Sequence, residues 1–195
     1  MGGINQMLFA EEFLQGFHKR ILEVGSKNHG RTIPFRKKLA HDEYIGLDPA
    51  EGSGVDVVGN LEDGLYGLES RSCDLIICCS VLEHTKKPWV VAENITKLLA
   101  PGGKVYITSP WVWRYHAYPD DYWRISFSGI KLIFPDLEFG DMYYSTYRDG
   151  EFFKCEPEAE NSRSRVVTDE GVVVEKYLPY CEIHALGVKT CPLLI

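Results

Sequence analysis

Apolar positions recur along the chain at two different periods, and each change of period marks an element. Residues 4–20, INQMLFAEEFLQGFHKR, set Met7, Leu8, Phe13, Leu14 and Phe17 mostly at helical spacing. They predict a leading amphipathic helix that runs directly into a strand. ILEV (21–24) and YIGL (44–47) are short apolar runs, each ending at a turn or an acid, with a helix-sized segment between them. That arrangement predicts a βαβ unit. GVDVVGN (54–60) reads as a third strand, and CDLIICC (73–79), apolar on both faces, as a fourth. Runs of that second kind belong to parallel sheets covered by helices. In KKPWVVAENITKLLAPGG (86–103), Trp89, Val90, Ala92, Ile95, Leu98 and Leu99 share one side, and Pro101-Gly102-Gly103 stops the helix. KVYITSP (104–110) is the next strand. SFSGIKLIF (126–134) then reads as a short helix capped by Ser126 or Ser128. Further on, LEFGDMYYSTY and EGVVVEKYLPYCEIHALGVK predict antiparallel strands around a polar, irregular stretch at about 148–165. Alternating strands and helices followed by hairpins predict a three-layer α/β domain.

Length and composition narrow the classes. At 195 residues, 45% apolar and 25% charged, the chain suits one domain with a core that needs no staples. Lys and Arg number 21 against 28 Asp and Glu, and the net charge of −7 opposes a long contact with a phosphate backbone. Extended nucleic acid is therefore not an expected partner. The six cysteines form no C-x-x-C pair, and Cys78-Cys79 sit within an apolar run as small buried side chains. A reducing, cytoplasmic location follows as an expectation. Charged residues within the first twenty positions break any signal-peptide pattern, and no run reaches membrane-spanning length.

Candidate chemistry begins at ILEVGSKNHGRT (21–32). Gly25, Gly30, Arg31 and Thr32 fall one Lys-to-Arg change away from a phosphate loop. Pro34 opposes that register, because Thr32 as cap would start a helix later, and Arg31 replaces a compact ammonium with a planar fork. A dinucleotide loop needs glycine where Lys27 stands. Glu23, at a strand end, would repel a diphosphate and favour a positive charge. Asp48 ends the next strand, as a carboxylate that accepts from both ribose hydroxyls would. Together the two acids ask for a cationic adenosine ligand without phosphate. Both could instead cap helices or pair with Lys27 and Arg31.

Over residues 20–134 the sequence resembles the class I S-adenosylmethionine-dependent methyltransferases. LEVG (22–25), YIGLDP (44–49), VDVVGNLED (55–63), CDLIICCSVLEH (73–84) and LLAPGGKVYITSP (98–110) carry the likeness by order and spacing. HAYPDDYWRISFSGI (116–130) resembles a bacterial and phage subgroup with H-x-x-P-x-D-[YF]-W-R after the fifth strand. The resemblance implies a Rossmann-like, doubly wound, mostly parallel seven-stranded sheet with antiparallel C-terminal strands. It makes 1–195 one domain, with a leading helix at 1–20, a cofactor core at 21–110, and the substrate loop and last strands at 111–195. It implies S-adenosylmethionine as cofactor, with Glu23 at its amino group, directly or through water, and the Gly25-Ser26 backbone beside the methionyl part. Asp48 would take the ribose, with Pro49 next to the adenine. Asn60 and Leu61 would contact adenine, the latter through its backbone, over a crevice floored by Cys79, Ser80 and Val81.

Methyl transfer needs mostly alignment, because the sulfonium is already activated. A base for a hydroxyl acceptor is offered by His116 and by Asp120 or Asp121, and His116 and Asp121 are the candidate catalytic residues, His116 as base or acceptor-orienting group. Asp121 and Arg124 would organise the loop or hold polar substrate, and Tyr118, Tyr122 and Trp123 would form walls. A purely structural network fastening this loop is the alternative for His116 and Arg124. Glu83 and His84 follow on the neighbouring loop, where structural roles also suit them. No metal site is expected, since carboxylates and histidines do not cluster at ligand spacing. Aromatic walls with a few polar groups suit a small polar molecule or glycan as acceptor. Competing classes are a catalytically silent cofactor-binding partner, an RNA or protein methyltransferase, and a nucleotide hydrolase.

Overall fold

A computed structural model describes residues 3–30, 34–117, 119–155, 165–167, 173–175 and 181–190. Arg31, Thr32 and Tyr118 lie outside that set. Helix α1 (Ile4–Phe13) is followed by strand β1 (Phe17–Val24), a 3-10 turn (Phe35–Lys37), β2 (Ala40–Asp48), β3 (Val57–Val58) and β4 (Cys73–Cys79). A second 3-10 turn (Leu82–His84) precedes α2 (Pro88–Leu98), β5 (Leu99–Val112) and α3 (Phe127–Ile133). The strands β6 (Leu137–Phe139), β7 (Tyr143–Ser145), β8 (Phe152–Lys154), β9 (Arg165–Val167), β10 (Val173–Glu175) and β11 (Cys181–Lys189) complete the chain.

Nine of the strands make one sheet, ordered β3-β2-β1-β4-β5-β11-β7-β8, with β6 also on β11, while β9 and β10 pair separately. The sequence had implied seven; short strands too brief to show a period raise the number. β3-β2-β1-β4-β5 are parallel, and β11 runs antiparallel to β5, β6 and β7. Strand alternation divides the core between the two faces. Leu22, Ile76, Cys78, Val105 and Ile107 pack under Val91, Ile95 and Leu98 of α2 and Ile130 of α3. Ile21, Leu75, Ile77, Cys79 and Tyr106 pack under Met7, Phe9 and Ala10 of α1 and under Phe35. Each such aliphatic side chain contributes about 1.5–3 kcal/mol when fully buried.

Several elements depart from the sequence expectation; the third strand, for one, is only Val57–Val58. The leading helix stops at Phe13, because Gly16, at φ +115°, turns the chain and β1 already pairs with β2 from Phe17 and Ala40 onward. Phe17 is therefore a 63% exposed strand residue instead of a buried helical one. Between β1 and β2 the described residues hold only the 3-10 turn Phe35–Lys37 and no α-helix. The side chain of Phe35 covers the sheet there. Helix α2 is present but shorter than expected: it ends at Leu98, with Leu99 through Gly103 already in β5, and of the expected face Ala92, Ile95 and Leu98 are buried whereas Trp89 is 53% exposed. Pro88 opens it, and Lys189 Nζ donates to the Thr96 and Leu99 carbonyls at its end (2.7 and 2.8 Å). Ser126 is the cap of α3, accepting from Gly129 N (3.2 Å). No helix among the described residues is long and apolar enough to cross a membrane.

Candidate active site

Strand order reverses between β1 and β4, the position where open α/β sheets leave a crevice beyond their strand ends. A cavity of about 880 Å³ opens there, lined by Val24, Gly25, Leu47, Asp48, Ser80 and Pro110 at the tips of four strands, among others. Backbone bonds begin the β1 turn: the Gly25 and Ser26 N–H groups both donate to the Leu47 carbonyl (2.8 and 3.2 Å). Gly25 has φ +76°, and a Cβ there would come within 2.6 Å of Val81 Cγ2. Only glycine lets the two loops pass this closely. At the next tip, Asp48 Oδ2 accepts from Lys27 N (3.1 Å) and Oδ1 from Ala50 N (3.0 Å). One lone pair on each oxygen is still available, a match for two hydroxyl donors side by side. Pro49, Asn60 and Leu61 also line the cavity. Asn60 closes its own turn by accepting from Glu62 N (2.9 Å), and the Leu61 carbonyl is taken by Asn94 Nδ2 (2.7 Å).

Long-range contacts build the floor. Ser80 follows β4 in a left-handed conformation, φ +52°, a strained state for a residue with a side chain. Gln6 of α1 fixes it: its Nε2 lies 2.8 Å from both Ser80 Oγ and Thr108 Oγ1 and also bonds the Glu182 carboxylate. Ser80 Oγ donates to Glu182 Oε1 (3.2 Å). Gln6 and Glu182 both line the cavity. Burial raises the Glu182 carboxyl above its ordinary range, against the hydrogen bonds from Gln6 and Ser80.

The far wall is the loop after β5, folded back over the loop after β4. Tyr122 N and Trp123 N donate to the Glu83 carbonyl (2.7 and 3.3 Å), and Trp123 Nε1 donates to Thr85 O (2.8 Å). Arg124 clamps the loop from behind. Its guanidinium holds both Asp121 oxygens (2.5 and 2.8 Å) and reaches the Trp113, Arg114 and Trp123 carbonyls. That bond with Arg124 is what holds the Asp121 carboxyl well below its usual range. Asp121 Oδ2 in turn accepts from His116 N (2.8 Å) and lies 3.1 Å from His116 Nδ1. His84 and His116 meet edge to face, ring centroids 4.9 Å apart. The Glu83 side chain is wholly buried beside them, and burial pushes its carboxyl up to about 8.

A family model described as a methyltransferase domain matches residues 6–146, well over half of the chain. The chain belongs to the methyltransferase-domain family. No curated protein matches it. Among solved structures it is similar to the N-methyltransferase NodS from Bradyrhizobium japonicum in complex with S-adenosyl-L-homocysteine, at 13% identity over 95% of this chain and 85% of that one, TM-score 0.60. A SAM-dependent methyltransferase from Thermotoga maritima is 17% identical over 96% and 90% of the two chains, TM-score 0.62. The 1,6-didemethyltoxoflavin-N1-methyltransferase of Burkholderia thailandensis, solved with its named substrate and S-adenosylhomocysteine, is 12% identical over 96% and 77%, TM-score 0.58. At these identities the likeness is one of fold.

In this methyltransferase, then, Gly25, Asp48, Pro49, Asn60, Leu61, Ser80, Val81, His116 and Tyr122 come together around one cavity. Other expected residues are not among its lining. The Glu23 carboxylate accepts from the Tyr44 hydroxyl (2.6 Å). Ser26 and Cys79 are buried, Cys79 in the core under α1. Asp121, Trp123 and Arg124 stand behind the wall, where they position His116 and the loop. Two corrections run the other way. Gln6 and Glu182 belong to the cavity although nothing near them in sequence marks them, since contacts across 102 and 176 residues bring them in. Histidines and a carboxylate do cluster: ligand atoms of Glu83, His84 and His116 lie within 4.8 Å of one another. The folding-back of the β5 loop brings His116 to the other two.

Proposed function

We propose that this enzyme takes S-adenosylmethionine as its cofactor and methylates a small-molecule or glycan acceptor by in-line displacement. The observation that carries the reading is Asp48: a carboxylate at a strand tip, each oxygen tied to one backbone N–H, open to a cavity of about 880 Å³. The residues fit that cofactor. Asp48 offers two acceptors for a ribose diol, and Gly25 leaves open the space a Cβ would fill against Val81. Val24, Leu47, Leu61 and Val91 supply apolar walls for a base. Glu182 and Asp48 give the cavity an acidic lining, which favours a cation over a diphosphate. When bound, S-adenosylmethionine supplies a methyl group on a positively charged sulfur that already leaves readily. The protein's part is therefore orientation and exclusion of water.

At the acceptor end, Trp113, His116 and Tyr122 line the wall. Engagement of His116 Nδ1 by Asp121 leaves Nε2 as the nitrogen with a lone pair, suited to a base or to orienting an acceptor. The stretch HAYPDDYWR (116–124) supports placing the chain with the H-x-x-P-x-D-[YF]-W-R subgroup. Small acceptors are also in keeping with the Burkholderia neighbour and its named substrate. The described cysteines are all free thiols, which supports a reducing, cytoplasmic setting. Calorimetric titration with S-adenosylmethionine, S-adenosylhomocysteine, NAD and ATP tests the reading. Saturable binding of the first two and none of the others is expected, to be followed by an acceptor screen. Binding of NAD or ATP in preference to S-adenosylhomocysteine would overturn it.

A further inference from the structure

Glu83 sits at one wall of the cavity with its carboxyl buried and sparsely partnered. Its side chain is 0% exposed, and among the described residues no other residue gives either carboxylate oxygen a hydrogen bond. A buried carboxyl is tolerated when it keeps its proton, or as a carboxylate when it is paired, hydrogen-bonded or bound to a metal. The ion-pair partner within reach is His84 Nε2, 3.8 Å from Oε1. His116 completes the group, with the three ligand atoms within 4.8 Å of one another, and all three residues line the cavity.

Both rings are already oriented from behind. His84 Nδ1 is 2.6 Å from the Asp120 carbonyl, and His116 Nδ1 is 3.1 Å from Asp121 Oδ2 and 3.3 Å from the Arg114 carbonyl. A ring nitrogen beside such an oxygen carries the proton, so the opposite nitrogen, Nε2, keeps its lone pair. Metal-binding histidines show this support, a carbonyl or carboxylate fixing tautomer and ring angle. Two imidazoles and one carboxylate are also a donor set that first-row divalent ions take in sites with open positions.

We infer that Glu83, His84 and His116 form a binding site for one divalent transition-metal ion of the zinc or manganese class, at the acceptor end of the cavity. The inference deepens the proposed function, since it rests on that end receiving the acceptor. Ligand atoms around a tetrahedral ion at about 2.1 Å stand about 3.4 Å from one another. The three ligand atoms, within 4.8 Å of one another, would draw closer on binding to reach that spacing. With three protein ligands the ion keeps positions open to the cavity, where an oxygen or nitrogen of the acceptor would enter. His116 then serves as an acceptor-orienting group acting through the ion, and Asp121 and Arg124 as positioning residues for it.

Metal-stripped protein titrated with Zn²⁺, Mn²⁺ and Co²⁺ by calorimetry tests the site, with S-adenosylhomocysteine titrated in parallel. At least one of the ions should bind at one equivalent, and Co²⁺ should give visible absorption bands. Glu83→Gln and His116→Ala should each weaken the tightest-binding ion at least tenfold and abolish the bands, with S-adenosylhomocysteine affinity held within about threefold as the check on folding. Absence of saturable binding at millimolar metal, or binding undiminished in both variants, overturns the site. Loss of S-adenosylhomocysteine binding by the parent protein would count against the cofactor reading alone, because the metal titrations are read without it.

Discussion

The two ends of the cavity are held by different means. At the end proposed for the cofactor the main chain does the holding: Gly25 and Ser26 N–H groups on the Leu47 carbonyl, and Lys27 and Ala50 N–H groups on Asp48. At the acceptor end side chains do it, with Arg124 gripping Asp121 and three carbonyls, and Trp123 Nε1 bonded to Thr85 O. A backbone cradle at strand tips is fixed once the sheet forms. A loop pinned by one guanidinium can be reshaped by few substitutions without disturbing the strands.

Breaking each end should therefore give opposite phenotypes. Asp48→Ala removes two charge-assisted hydrogen bonds to the ribose, each worth about 1.5–3 kcal/mol, so affinity for S-adenosylhomocysteine should fall at least about a hundredfold by calorimetry. Arg124→Ala should instead leave that affinity within about threefold and lower single-turnover methyl transfer between about ten- and a hundredfold, because His116 and the wall lose their support. Equal losses of binding in both variants would erase the distinction between the two ends.

Gly25→Ala probes the cradle with less force. The new Cβ meets Val81 Cγ2 at 2.6 Å and must adopt φ +76°. A strained backbone of this kind costs about 1–3 kcal/mol, and cofactor affinity should drop about tenfold. Adding Val81→Ala should recover part of the loss, since it relieves the clash and leaves the dihedral strain. Full recovery would show that contact alone demands glycine.

The same contrast explains what could be read from the sequence. Asp48 was legible because a strand that ends at an acid puts that acid at the tip, and Gly25 because the apolar run stops there. The parallel strands were legible through their apolar runs, and α2 through Ala92, Ile95 and Leu98, although its end was not, since Leu99 through Gly103 belong to β5. The 15 or so residues between β1 and β2 misled, because length alone suggests a helix whereas Phe35 covers the sheet with one 3-10 turn. Gln6, Glu182 and the Glu83-His84-His116 cluster were hidden for a different reason. Each depends on sheet order or on one loop folding over another, and no local spacing records that.

Glu23 sharpens the comparison most finely, since the sequence placed it at the cofactor's amino group and its carboxylate instead accepts from Tyr44. Glu23→Gln keeps an oxygen for that hydroxyl and adds no bulk, so S-adenosylhomocysteine affinity should change less than about threefold. A tenfold loss would return Glu23 to the cofactor. Stability should respond to pH in a definite direction. Burial raises the Glu23 carboxyl above its ordinary value, outweighing the Tyr44 bond that lowers it. Its contribution to stability is then fully present below the unfolded pKa of about 4.5 and is lost as pH rises through the raised folded value. The glutamine variant carries no such loss, so its melting temperature relative to the parent should be higher at pH 8 than at pH 4.5. A difference that stays constant across that window would mean the carboxylate is as well solvated in the fold as in the unfolded chain.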